Sequence, residues 1–266
     1  MRKARRAILL LAAASLGVSS AVWAQRRGQR GVAGPTEFEI NNVPYDGRFA
    51  FVRLRYDPIR SGYGQGGGYF GGINYWWDHD YPRADQHLMT MLREMTLIPT
   101  SRGSNVISIG SPELHRYPLA YMSEPGWWNM PDEHAANLRA WLLKGGFLIL
   151  DDFTGPGHLH NFELQLSRIL PDARLVPLDV SHPIFHSFFE IESLDVMHPY
   201  GIPDMPPVFL GVFEDNDPLK RLLLIANFNN DIGEAWEFSD TGFLPIDITN
   251  EAYKLGINYL IYSMTH

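Results

Sequence analysis

The chain contains no cysteine. That absence excludes disulfides, thiolate metal sites and a cysteine nucleophile. Other short signatures of chemistry are missing too. No Gly-Lys-Ser/Thr follows the glycine-rich residues 61–72, and no His-Glu-x-x-His occurs. Basic residues are outnumbered, 22 Lys+Arg against 30 Asp+Glu, for a formal charge of −8. An acidic balance argues against nonspecific nucleic-acid binding and against docking on anionic lipid.

What is present begins at the N-terminus. Arg2, Lys3, Arg5 and Arg6 form a basic region, and residues 7–18 form an apolar stretch too short to span a bilayer. Val22-Trp23-Ala24 then supplies small residues at cleavage-site positions. The pattern predicts a signal peptide over residues 1–24, a mature start at Gln25, and a periplasmic or secreted protein with no transmembrane segment in the mature chain. Removing the four basic residues of that segment from the 22 leaves 18 against 30 acids, a net charge of −12. Residues 25–45 read as a flexible linker and domain entry, glycine-rich and basic at first. Residues 46–266 show no repeat and no second linker, which predicts one domain.

Within that domain, residues 49–56 (FAFVRLRY) predict a first strand. The glycine-rich residues 61–72 after it predict a surface loop over the strand's carboxyl end. Helices are predicted after Asp80-Tyr81-Pro82, with Asp80 as cap, and after Pro131-Asp132-Glu133, with Gly145 closing the second. Further helices are predicted over residues 161–170 and from about residue 249. Short strands are predicted at 105–109 and 119–122, with a turn at 111–115 between them. The apolar runs 208–213 and 221–226 flank the turn signal Asp215-Asn216-Asp217-Pro218 and predict an antiparallel pair. This alternation predicts an α/β fold, a three-layer sandwich with a largely parallel central sheet.

The chain is organised around Lys144-Gly145-Gly146-Phe147-Leu148-Ile149-Leu150-Asp151-Asp152. Residues 147–150 have no polar face, as suits a strand covered on both sides. The two acids fall at its carboxyl end, the edge where open α/β sheets bind ligands.

Several blocks resemble the bacterial domain-of-unknown-function family 4159. They are Phe51-Val52-Arg53-Leu54-Arg55-Tyr56, Asp80-Tyr81-Pro82-Arg83-Ala84-Asp85, Lys144-Gly145-Gly146-Phe147-Leu148-Ile149-Leu150-Asp151-Asp152-Phe153 and Ser181-His182-Pro183-Ile184-Phe185. The resemblance covers about residues 46–264. It implies a flavodoxin-like fold similar to class I glutamine amidotransferases and the trehalose-utilisation (ThuA-like) proteins. In those enzymes a cysteine follows the central strand on a sharp turn. Here that turn reads Asp151-Asp152-Phe153-Thr154-Gly155, so glutaminase chemistry does not carry over.

The candidate catalytic residues are Asp151, Asp152, His158 and His182, and the candidate ligand-binding residues are Trp77, Asp78, His79, Asp80, Asp152 and His160. Asp151 and Asp152 point to opposite faces if both stay in the strand, so one reading makes one of them a cap and the other a pocket acid. The loops carrying His79, His158 and His182 are expected to gather over one edge. No full metal-ligand set is legible, and no metal or other cofactor is assigned. Trp76-Trp77 and Trp127-Trp128 could stack on a sugar, or one of each pair could anchor the core beneath its neighbour. Two functions remain open. One is a non-catalytic module of the envelope that binds a small polar ligand or another protein. The alternative is a carbohydrate-active or metal-assisted hydrolase or lyase.

Overall fold

The computed structural model describes residues 40, 42–59, 76–195 and 205–266. The expected signal peptide, most of the linker, the glycine-rich loop 61–72 and His198 lie outside these residues.

Seven strands form one sheet in the order β3 (Asn105–Ser108), β1 (Val52–Arg55), β4 (Leu119–Ser123), β6 (Phe147–Phe153), β9 (Leu222–Phe228), β8 (Val208–Phe213), β7 (Val176–Pro177). The first five are parallel, and β8 pairs antiparallel with both β9 and β7. Counted in chain order, the parallel strands run 2-1-3-4-5, the flavodoxin-like order. A separate two-stranded ribbon joins β2 (Asp57–Pro58) to β5 (Trp128–Asn129).

Side-chain alternation sorts the core into two apolar layers. Tyr121, Phe147 and Ile149 face helices α1 (Arg83–Met95), α4 (Ile232–Glu237) and α5 (Ile246–Thr265), meeting Leu88, Trp236 and Tyr259. Ala120, Leu148 and Leu150 face α2 (Asp132–Leu143) and α3 (Gly155–Ile169), meeting Trp141 and Phe162. The three layers are therefore helix, sheet and helix. Among the described residues no helix is long and apolar enough to cross a membrane.

Local punctuation explains most boundaries. Gly145 follows α2 at φ +110, a conformation that suits glycine, so the chain turns directly into β6. Residues 111–115 form a 3₁₀ helix, Pro112–Arg116, rather than an open turn, because Ser111 Oγ accepts from the amide of Glu113 at 3.2 Å. The helix expected from residue 161 already begins at Gly155. Pro156 lies in its first turn, where a missing N–H removes no helical bond. Helix α4 is too short to show a periodicity. At the outer edge, the last residues of the expected linker are tied to β3. Asn42 Nδ2 donates to Val106 O at 2.9 Å and Asn42 Oδ1 accepts from Val106 N at 2.8 Å, while Asn105 bonds both the N–H and the C=O of Val43.

Candidate functional site

The carboxyl ends of β1, β4, β6 and β9 meet in a group of acids around one imidazole. Asp151 is fully buried and committed to structure. Its Oδ2 accepts from Tyr121 Oη at 2.9 Å and from the amides of Ile232 and Gly233 at 3.0 and 2.9 Å, and its Oδ1 accepts from Asn227 Nδ2 at 3.0 Å. It therefore caps α4 from the end of the neighbouring strand. Burial raises its pKa to about 6, and the charge of Asp152 adds to this against the bond from Asn227.

Asp152 has left the ladder. Register shifts between Leu150 and Phe153, and Asp152 sits at φ +61. Its Oδ2 lies 2.5 Å from His79 Nδ1. Asp80 and Glu124, which also have positive φ, approach the same nitrogen, each with a carboxylate oxygen at 3.6 Å. Strained residues of this kind cluster at functional sites.

The loop carrying His79 and Asp80 is held from below by Arg53 on β1. This buried guanidinium donates to Trp77 O at 3.2 Å and His79 O at 2.9 Å, and pairs with Asp85 on α1. It also lies 4.8 Å from the ring centroid of Tyr121. Burial alone would lower its pKa, but the Asp85 carboxylate outweighs that and the net direction is upward. Asp80 does not cap α1 as expected. Pro82 takes the cap position, the backbone carbonyl of Asp80 accepts from Ala84 N at 3.0 Å, and the side chain turns inward.

From the β9 end, Asp231 caps α4 through Oδ1, which accepts from Glu234 N at 2.8 Å. Ligand atoms of His79, Asp152 and Asp231 lie within 4.8 Å of one another, and so do those of His79, Asp80 and Glu234. The acids depress one another's ionisation. Asp80 and Asp231 are raised well above the usual carboxylate range, first by burial and then by neighbouring negative charge, which for Asp80 is partly offset by His79. For His79 burial opposes the charged form, but Asp80, Asp152 and Glu124 together raise its pKa well above the ordinary value. Two more buried polar atoms, Ser123 Oγ at the last residue of β4 and Asn230 Nδ2 just past β9, stand without a hydrogen-bond partner.

The sequence candidates thus divide. His79, Asp80, Asp151 and Asp152 come together. Asp78 is half-buried beside them, its pKa raised by burial against the charge of Arg53. His158 lies at the rim in the first turns of α3, where it accepts from Thr154 N at 3.3 Å; burial lowers its pKa. His160 is exposed on α3. His182 is not at this edge. Its side chain accepts from Ile184 N, and its ring packs against Phe213 and Tyr262. Phe213 pairs with the start of β9 and Tyr262 meets Phe147 at the start of β6, so His182 belongs to the amino edge.

The tryptophans follow the core-anchor alternative. Trp77 and Trp128 are buried, while Trp76 and Trp127 stack on each other with centroids 4.7 Å and planes 10° apart. The faces these two turn toward each other are not open to a sugar.

Arg53, Asp85, Glu124, Asp231 and Glu234 were not legible as site residues. The one available signal was the Asp231-x-x-Glu234 spacing, an N-terminal capping pattern.

Fold and cluster define an α/β protein with an acid–imidazole site at the carboxyl edge of a 2-1-3-4-5 sheet. The chain belongs to the family described as Domain of unknown function (DUF4159), which it matches over residues 51–264. No curated protein matches the chain.

Proposed function

We propose that this protein is an exported, non-catalytic ligand-binding module on an amidotransferase-like fold, and that a small polar ligand docks at the His79–Asp152 edge. The observation that carries the reading is the position of Asp152. It stands near the end of the central strand, where the ladder register breaks and φ is +61, close to where the resembled enzymes place their nucleophile on a sharp turn. A carboxylate there cannot form a thioester, and this one is held against His79 at 2.5 Å.

The neighbouring groups support binding over turnover. Asp151 is committed to four hydrogen bonds, and His182, the other expected acid–base group, belongs to the opposite edge. The acids and the unpartnered Ser123 Oγ and Asn230 Nδ2 suit a ligand that donates and accepts hydrogen bonds. The basic and then apolar character of residues 1–24 supports export.

The test is a thermal-shift titration of chelator-treated protein with neutral oligosaccharides, small amines and amino acids. At least one class should raise the melting temperature of the wild type and leave Asp152→Asn unmoved. If no class shifts the wild type, or if glutamine is turned over in a way that Asp152→Asn abolishes, the reading fails.

A further inference from the structure

The structure points to one ligand class for this site, an inference that rests on the binding reading above: we propose that His79, Asp80 and Glu234 hold a divalent transition-metal ion of the Mn²⁺/Zn²⁺ type. Asp152 and Asp231, which with His79 form a second group of the same spacing, are the adjoining donors.

Protons are short around His79. His79 Nδ1 faces Asp152 at 2.5 Å and Asp80 and Glu124 at 3.6 Å each, yet it can carry only one proton. Asp152 is placed to take it in the metal-free chain, and an ion bound at that nitrogen would displace the proton. Asp80 is 5% exposed, and neither of its carboxylate oxygens accepts a hydrogen bond. A carboxylate buried in that state is costly, and the His79 imidazole 3.6 Å from Oδ1 offsets the cost only in part, being shared with Asp152 and Glu124. The nearest guanidinium, Arg53, is committed to Asp85 and to two backbone carbonyls.

A proton on Asp80 would neutralise one acid of the group. A divalent ion neutralises two at once and offers several oxygens a partner. Glycine at position 233 lets the start of α4, and Glu234 with it, come close to the Asp80 carboxylate. A Cβ on Gly233 would stand 2.7 Å from Asp80 Oδ2 and 2.7 Å from Tyr121 Oη, so any side chain there would crowd the carboxylate. Ligands around one such ion lie about 3–4 Å apart, given bonds of about 2.0–2.2 Å. Atoms within 4.8 Å of one another therefore need only a small inward movement.

The donor set selects the ion. One imidazole nitrogen with carboxylate oxygens suits Mn²⁺, Fe²⁺ or Zn²⁺ better than Ca²⁺, which prefers an all-oxygen shell, and thiolate-seeking ions are excluded by composition. His79 and Asp80 come from one loop, Glu234 from a helix about 150 residues later, so no spacing pattern advertises the set.

The experiment is isothermal titration of the chelator-treated full chain with Mn²⁺ and with Zn²⁺, using Ca²⁺ and Mg²⁺ as hard-ion controls. We expect one ion per chain, affinity weakened at least tenfold by Asp80→Asn and by Glu234→Gln, and no change with His160→Gln on the exposed face of α3. Bound Mn²⁺ should show nitrogen coupling by electron paramagnetic resonance, lost in His79→Gln. Circular dichroism separates lost binding from lost fold in each variant. Wild-type protein that binds neither ion, or Asp80→Asn that binds as tightly as wild type, overturns the proposal. If the metal-free protein still binds an organic ligand in an Asp152-dependent way, the metal inference falls while the binding reading stands. If neither ions nor organic ligands bind, both fall.

Discussion

Arg53 Nη2 lies 2.5 Å from Asp85 Oδ1, and neither side chain is more than 1% exposed. The pair joins the second strand of the sheet order to the first turns of α1, and the same guanidinium holds the carbonyls of Trp77 and His79. It is the foundation on which the His79 loop stands.

Breaking that pair from one side should be severe. Removing one member of a buried ion pair leaves the other without compensation, at a cost of about 3–5 kcal/mol. Arg53→Met is therefore expected to lower the urea midpoint strongly and to release the His79 loop. Replacing both residues with apolar ones of similar volume should recover part of the loss. Equal stability of the single variant and the wild type, measured by urea unfolding, would show that the pair contributes nothing.

Gly233→Ala sets two effects against each other. In a helix interior alanine is favoured by about 1 kcal/mol. Here the added methyl would fall 2.7 Å from Asp80 Oδ2 and Tyr121 Oη, and overpacking of this kind costs about 1–3 kcal/mol. Position 233 lies in the first turn, where the propensity gain is smaller, so a net loss in melting temperature is expected. An increase would mean that the Asp80 side has room to spare.

The pH dependence follows from Asp151. Its pKa is raised by burial to about 6 in the folded chain, from an ordinary value of 3.8. A carboxyl with a higher pKa folded than unfolded favours folding when protonated. Its contribution is present at low pH and is lost as pH climbs from about 4 to about 6, by up to about 3 kcal/mol at 1.36 kcal/mol per unit. His79, also raised, adds a loss in the same direction at higher pH. The exposed acids Asp46 and Asp179 are held low by Arg48 and Ser181 and act in the opposite sense, but solvent screening weakens them. Urea midpoints of chelator-treated protein across pH 4–7 should therefore fall, and Asp151→Asn should flatten the slope. A wild-type slope unchanged by that substitution would remove Asp151 as its cause.

Legibility from sequence followed the physics of each element. Residues 147–150 and Gly145 were plain because a buried strand needs an unbroken apolar run and its preceding helix needs a residue tolerant of positive φ. The antiparallel β8–β9 pair was marked by its turn residues. The division of labour between Asp151 and Asp152 was one of the open readings, since alternation separates adjacent side chains. Helix α4 was hidden because six residues cannot display a 3.6-residue period, and with it went Asp231 and Glu234. Arg53 was hidden for another reason. An arginine in an alternating strand reads as solvent-facing, and only the distant Asp85 makes its burial tolerable. His182 was misplaced because the loop after β7 turns back towards the start of β9, and no residue pattern there marks that reversal.

The outer border of the sheet bears on how copies of this chain behave together. An unpaired strand is an invitation to polymerise, because its N–H and C=O groups can template a strand from another molecule. On β3, Asn42 meets Val106 with a donor and an acceptor, as a neighbouring strand would, and Asn105 does the same for Val43. At the opposite border β7 ends after two residues. Two side-chain amides and one truncated strand thus close both ends of the sheet, and crowding need not drive these molecules into fibres.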